Sequence, residues 1–316
     1  MNLITDDFIK NNISYLELRN ALKLAFRESA IQCPPKLAYE YKNGVGTEDN
    51  TVLLMPAWDS KKYLGVKLIT ATPNNRTIDI PYLNGLYVLF SAENGMPLAT
   101  MDAKLITNMR TAATSVLATT FLAKENASSV LILGNGSLSP YYISAYASMV
   151  GIKKIYLWGR NLEKSQKIVD KLNLTDSAEI KPVATYKDLI SSVDIVSCIT
   201  SSHEPLVNIE DISKGQHYDL AGAYTENMQE VSTDVVATSK VFTDNFDVTL
   251  EHAGELVKAF SEGKLTREDI KGDFKFMCKD DVSKRQTQEE ITLFKCTGMA
   301  LEDLVFAILA YEKQKS

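Results

Sequence analysis

Apolar residues recur at helical spacing across residues 13–30, at Leu16, Leu18, Leu22, Leu24 and Ala25, which predicts an amphipathic helix near the start of the chain. Extended patterns follow over 36–42, 51–58 and Tyr63–Ala71. The runs 86–91 and 97–101 flank the turn Glu93-Asn94-Gly95, a hairpin signal. A stretch rich in Ala, Leu and Thr, 102–124, predicts a long helix leading out of this sheet. After it the pattern changes, with strand-like runs at Ser129–Leu133, Lys154–Trp158, 178–184, 194–200, 218–221 and Lys240–Thr243 alternating with helix-like ones such as 161–172. Such alternation predicts βαβ units and a parallel sheet with helices on both faces. Thr287 and Glu290 have capping-box spacing and predict a helix through Leu293, interrupted at Gly298 and resumed over 299–311.

The predicted fold class is α/β. A Rossmann-type doubly wound parallel sheet occupies 125–290, and a second, α+β domain is formed by 1–124 together with 291–316. A length of 316 residues suits two domains of ordinary size. With 45% hydrophobic and 23% charged residues the composition is globular, and a net charge of -6 with scattered Lys and Arg argues against a nucleic-acid surface. The four cysteines, Cys33, Cys198, Cys278 and Cys296, lie far apart without C-x-x-C spacing, so they read as buried thiols in a reducing compartment and no metal site is expected. The polar start, MNLITDDFIK, lacks the pattern of a signal peptide, and the apolar run 304–311 is too short to span a bilayer. A cytoplasmic location is the expectation.

Chemistry enters first at 130–139, where a short apolar strand ends in Gly134-Asn135-Gly136 and leads into a helix. A first glycine permits the tight turn, a second lets a pyrophosphate approach backbone N–H groups, and the helix N-terminus offsets its charge. The third position is Ser139, which departs from the usual Gly or Ala. An Asp or Glu at the end of the next strand would accept from a ribose 2′-hydroxyl, but here that strand ends in Gly159-Arg160-Asn161. Arg160 suits a 2′-phosphate. NADPH is therefore expected in preference to NADH; the alternative is a solvated loop arginine.

Upstream, Lys67 lies in an apolar strand and needs either an anion or an edge position that lets it reach water. Arg110 is the sole charge between Leu105 and Ala123, and its fork suits a carboxylate, either a ligand's or that of an acidic residue across the domain interface. His203, His217 and His252 occur singly and receive no role. Asp219 and Asp244 follow strands and are expected to cap turns.

These pieces together resemble the ornithine cyclodeaminase and mu-crystallin family. The match runs through Leu54-Met55-Pro56-Ala57, Gly65-Val66-Lys67 with Pro73 and Asn75, Arg110-Thr111-Ala112-Ala113, the Gly134-x-Gly136 loop, Gly222-Ala223 with Glu230, 290–295, and Thr297-Gly298-Met299-Ala300. The resemblance implies a homodimer in which the first domain supplies the dimer and substrate surface. It places Arg110 on a substrate carboxylate, Lys67 beside the reacting carbon and nitrogen, and Lys36 where an arginine that helps hold the carboxylate is common. Tyr224 stands where the cyclodeaminases carry an aspartate. Expected cofactor contacts are Thr111, Gly134, Gly136, Ser137, Leu138, Arg160, Asn161, Thr200 and Ala223.

The resulting expectation is reduction of a cyclic ketimine carboxylate, with Δ1-pyrroline-2-carboxylate or Δ1-piperideine-2-carboxylate as substrate and NADPH, or else NADH, as cofactor. Three alternatives stand beside it: reductive amination of a 2-oxo acid as in alanine dehydrogenase, ornithine cyclodeamination, and a non-enzymatic NADPH-binding role.

Overall fold

The protein is described from a computed structural model covering residues 1–42, 44, 49–78, 80–172, 178–280 and 284–316. The chain divides into two compact units, Met1–Arg110 with Met299–Ser316, and Thr111–Gly298.

In the first unit β1 (Asn2–Leu3) is followed by α1 (Asp6–Asn12), α2 (Tyr15–Glu28), β2 (Ile31–Gln32), β3 (Leu37–Tyr41), β4 (Asn50–Asp59), β5 (Tyr63–Ala71), β6 (Leu83–Ser91) and β7 (Pro97–Asp102). The helix read from the periodicity is α2, shortened at both ends. Ser14 and Glu17 close a capping box before it, and Ser29, at φ 52, ends it. Helix α1 was not anticipated, because it buries only Ile9 and so carries little periodic signal. The sheet runs β1-β7-β6-β5-β4-β2, with β3 also on β4, and β1 alone pairs in parallel.

Strand register sorts this sheet into two unlike faces. Met55, Lys67, Tyr87 and Met101 stand opposite one another across four strands, as do Leu37, Leu54, Leu68 and Leu86 one position away on the other face. The first row is on the covered side, where Lys67, Tyr87 and Met101 are buried. The cover is the last helix, Ala300–Lys315, which packs on β4, β5, β6 and α2. In the leucine row Leu37, Leu68 and Leu86 are 46%, 40% and 51% exposed. Because β5 lies between β4 and β6, the edge-strand reading of Lys67 is excluded.

Helix α3 (Ala103–Leu122) begins in the first unit and continues into the second. There β8 (Ser129–Leu133), α4 (Ser139–Ala147), β9 (Lys154–Trp158), α5 (Leu162–Asp170), β10 (Glu179–Val183), α6 (Lys187–Ile190), β11 (Ile195–Cys198), β12 (His217–Leu220), α7 (Thr233–Thr238), β13 (Lys240–Thr243), α8 (Phe246–His252), α9 (Gly254–Ser261), α10 (Phe274–Met277) and β14 (Thr292–Lys295) follow. All seven strands are parallel, in the order β10-β9-β8-β11-β12-β14-β13. This is the doubly wound arrangement expected, with one strand more than the pattern predicted.

The additional strand corrects the helix read across 287–293. Glu290 takes no part in a helix cap, since its carboxylate accepts from Lys240 Nζ at 2.6 Å and from the Gln286 amide at 2.9 Å. Thr292–Lys295 then slots between β12 and β13. Residues 291–298 consequently belong to the second unit, as do 111–124, which moves both boundaries from those read in the sequence. Cys198, Cys278 and Cys296 are buried as expected, whereas Cys33 is partly exposed. Among the described residues no helix is long and apolar enough to cross a membrane.

Insertion of β14 pairs His217 with Thr292 and leaves it fully buried. Thr292 Oγ1 donates to the Leu122 carbonyl at 2.9 Å, so at 3.0 Å it accepts from Nδ1–H of His217, leaving buried Nε2 without a donor among the described residues. Burial, with Arg285 adding to it, drives the imidazole pKa down to about 3. The folded state then binds fewer protons than the unfolded chain between about pH 3 and 6.5, so this contribution to stability is complete above 6.5 and is lost as pH falls toward 3. It is on the order of a few kcal/mol. His217→Gln should therefore flatten the fall in urea midpoint between pH 6.5 and 4; an unchanged slope would remove His217 from the account.

Candidate active site

Two groups of predicted residues are gathered, one in each unit. In the first, Lys67 projects from β5 and Arg110 from α3 toward the opening turn of the last helix. Asp303 receives both: its Oδ2 lies 2.7 Å from Lys67 Nζ and its Oδ1 accepts from Arg110 Nε at 2.9 Å. Glu302 accepts from Arg110 Nη1, and Thr107 Oγ1 lies 3.3 Å from Lys67 Nζ. Lys67, Arg110, Glu302 and Asp303 are all buried. The structure therefore gives both cations protein carboxylates as partners. For Arg110 these acids come from within its own unit, in place of a partner across the domain interface. Burial drives the Lys67 ammonium below the ordinary lysine pKa; Asp303 opposes the shift and Arg110 adds to it.

Neither carboxylate was singled out in the sequence, although a signal was present. Glu302 and Asp303 are adjacent acids opening a helix whose next turns are apolar and buried, and the positive end of the helix dipole favours them there. Lys36 is exposed, one residue before β3.

In the second unit the loops after β8 and β11 meet where the strand order reverses, the usual ligand position in such sheets. Gly134 has φ 126, and a Cβ there would fall 2.9 Å from the Ile199 carbonyl oxygen. Around Gly136 the corresponding space is open. Ser139 Oγ donates to the Gly136 carbonyl at 2.8 Å, so the departure from Gly or Ala is used to tie the loop to the start of α4. A cavity of about 430 Å³ lies over this turn, lined among others by Gly134, Gly136, Arg160, Lys164 and Thr200. Ser137 is exposed and Leu138 precedes α4, whereas Asn161 caps α5 by accepting from the Lys164 amide at 2.9 Å. Thr111 is largely buried and Tyr224 is exposed.

Thr200 and Ala223, both expected at the cofactor, are held from behind by Glu230. Its carboxylate accepts from the Thr200 amide at 2.6 Å, Thr200 Oγ1 at 3.0 Å, the Gly222 amide at 2.8 Å and the Ala223 amide at 3.1 Å. Lys295 of β14 lies 3.9 Å from Glu230 and 3.2 Å from Glu255 of α9, all three fully buried. Burial pushes the Glu230 carboxyl up to about 7, Glu255 adds to the rise, and Lys295 opposes it. Asp244, expected to cap a turn, accepts from the next amide, Asn245, and also ties on a distant segment through the Thr297 and Gly298 amides. Asp219 does not cap a turn: it is buried in β12, with Ser197 Oγ at 2.6 Å and the Tyr146 hydroxyl at 2.9 Å.

A parallel doubly wound sheet with a glycine turn, and a separate mixed sheet carrying buried cations, define a two-unit α/β protein. The chain belongs to the ornithine cyclodeaminase/mu-crystallin family, whose profile matches residues 3–316. It is 32% identical over 320 residues to Δ1-pyrroline-2-carboxylate reductase of Colwellia psychrerythraea, covering 99% of each chain. Among solved structures it is similar to Thermococcus litoralis Δ1-pyrroline-2-carboxylate reductase in complex with NADH and L-proline, with TM-score 0.90 and 27% identity, over 100% of this chain and 98% of that one. An archaeal alanine dehydrogenase dimer with bound NAD gives TM-score 0.87 and 28% identity, over 100% and 96%.

Removing Glu230 tests whether it holds these loops together. Glu230→Ala leaves four donors, at Thr200, Gly222 and Ala223, without their acceptor while Lys295 keeps Glu255 at 3.2 Å, and each buried donor left unsatisfied costs about 1–3 kcal/mol. A matching drop in the urea midpoint is expected; a loss below about 1 kcal/mol would mean that water replaces the carboxylate.

Proposed function

We propose that this chain is an oxidoreductase that reduces the C=N bond of a cyclic ketimine carboxylate with a nicotinamide dinucleotide. Δ1-pyrroline-2-carboxylate giving L-proline is the first pair to test, and Δ1-piperideine-2-carboxylate giving L-pipecolate the second. The observation that carries the reading is the pair of buried cations, Lys67 and Arg110, set side by side by a single carboxylate. Full-length similarity to reductases of this name supports it.

The second unit fits a dinucleotide: the turn at Gly134 and the open space beside Gly136 leave room for a pyrophosphate against backbone N–H groups at the start of α4. Gly134, Gly136, Ser137, Leu138, Arg160 and Asn161 would hold the cofactor, with Thr111 and the loops of Thr200 and Ala223 completing the site. When bound, the nicotinamide supplies a hydride to the imine carbon. As the hydride arrives the Lys67 ammonium gives a proton to the ring nitrogen, so that the protonated imine C=NH⁺ becomes CH–NH2⁺. Arg110 holds the carboxylate and thereby selects the face attacked, and Lys36 adds a second positive charge for it. Tyr224 supplies no carboxylate of the kind cyclodeamination employs.

NADPH is the preferred cofactor in this reading. No Asp or Glu ends β9, while Arg160 and Lys164 bring two cations to the cavity. A second reading, reductive amination of a 2-oxo acid, is favoured by similarity to the alanine dehydrogenase. In both readings a second copy of the chain covers the exposed row Leu37, Leu68 and Leu86, giving a homodimer.

NADPH oxidation should follow addition of the cyclic imine without ammonia, and NADPH should bind more tightly than NADH. Turnover of pyruvate that requires ammonia, with no imine reduction, would select the second reading; tighter NADH would overturn the cofactor preference. Lys67→Ala should lower turnover by about 10²–10⁴-fold with cofactor binding intact. Light scattering should give the mass of two chains, and Leu68→Glu should shift it toward one.

A further inference from the structure

Asp303 touches both buried cations of the cluster, Lys67 and Arg110. Its two oxygens are divided between them, Oδ2 to Lys67 and Oδ1 to Arg110, so a single rigid carboxylate fixes the separation of two side chains carried on different elements. We propose that Asp303 is a positioning residue for imine reduction: it keeps Lys67 in its protonated, proton-donating form and sets it in register with Arg110. The proposal rests on the reading of Lys67 as proton donor.

The surroundings of Lys67 leave this task to few groups. From the last helix Asp303 and Glu302 face it, from α3 Arg110 and the Thr107 hydroxyl, from β6 the Tyr87 side chain directly opposite, and from β4 the apolar Met55. Glu302 is engaged with Arg110. Tyr87 is buried, with its hydroxyl pKa raised by burial and, after that, by Asp303, so it brings no charge. Thr107 Oγ1 donates to the Ala103 carbonyl at 2.7 Å and can offer Lys67 only a lone pair. Asp303 is therefore the nearest negative charge to a buried ammonium that has a guanidinium as neighbour. Without it, burial and Arg110 both favour the neutral amine, which holds no proton to give. Asp303 sits in the first turn of the last helix, where the positive end of the helix dipole favours a negative charge.

The experiment compares kcat/KM across pH for Asp303→Asn, Asp303→Glu and Lys67→Ala, each divided by the wild-type value so that ionisation of the substrate cancels. Loss of an opposite charge at this distance lowers a lysine pKa by about 1–3 units. The protonated form is then lost at lower pH, so the Asp303→Asn ratio should fall with rising pH, about tenfold per unit between the two pKa values. Asp303→Glu keeps the charge and should give a flat ratio, reduced through a raised KM as Arg110 shifts. Flat ratios for both, with Lys67→Ala inactive, would overturn the proposal and leave the reading of Lys67 standing. Retained turnover in Lys67→Ala would overturn that reading, and the proposal with it. Should Asp303→Asn fail to fold, a pH-dependent ratio for Asp303→Glu would equally overturn it.

Discussion

A buried ammonium needs a negative charge close by, and in the first unit that requirement dictates where the end of the sequence goes. Lys67 occupies the middle of an interior strand on the covered face of its sheet, where neither water nor a neighbouring strand can satisfy it. The chain answers with Glu302 and Asp303, which stand 192 and 193 positions beyond Arg110. Apolar burial brings the last helix to this sheet, but apolar burial alone does not choose a register. The two acids do, because sliding the helix by a turn would leave two cations and two anions buried apart. Interactions of this type add little net stability and are costly to break from one side, which makes them effective at specifying one arrangement.

The second unit uses the same device for another purpose. Lys295 is buried on β14, the strand that inserts between β12 and β13, and it meets Glu255 and Glu230 there. Glu230 in turn collects the amides of Thr200, Gly222 and Ala223. The ion triad thus couples late insertion of β14 to the shape of the loops after β11 and β12. A segment far from the glycine turn in sequence becomes part of what holds the cavity's rim.

Most strands were legible because their patterns are strong: Tyr63–Ala71, Ser129–Leu133, Lys154–Trp158 and Lys240–Thr243 form as read. The misread segment shows what local pattern lacks. Thr287 and Glu290 have the spacing of a helix cap, and a short apolar run after them fits helix or strand equally. What decides is a space of one strand's width between β12 and β13, a property of the completed sheet. The site was legible to the same extent. Lys67 and Arg110 stood out as charges among apolar neighbours, and Gly134 with Gly136 as a turn before a helix. Their partners Asp303 and Glu302 did not, because an acid becomes informative only once the cation it faces is known, and Glu230 entered only through the family resemblance. The role foreseen for Asp219 failed for a related reason: two hydroxyls, from Ser197 and Tyr146, donate to its Oδ2 inside the sheet, and neither is near it in sequence.

The charge count of the first unit's cluster bears on the kind of molecule it suits. Lys67 and Arg110 contribute two positive charges, Glu302 and Asp303 two negative ones, so the group is formally neutral. A bare carboxylate entering such a group would leave one negative charge uncompensated in a dry environment. A cyclic imine carboxylate protonated on nitrogen carries its own compensating charge, and so does the cyclic amino acid formed from it. Neutral before binding and neutral after it, the cluster favours a zwitterion over a simple anion. Proton transfer from Lys67 then moves charge over a short distance inside a group whose total does not change, and Asp303, already bridging donor and carboxylate holder, is placed to follow it.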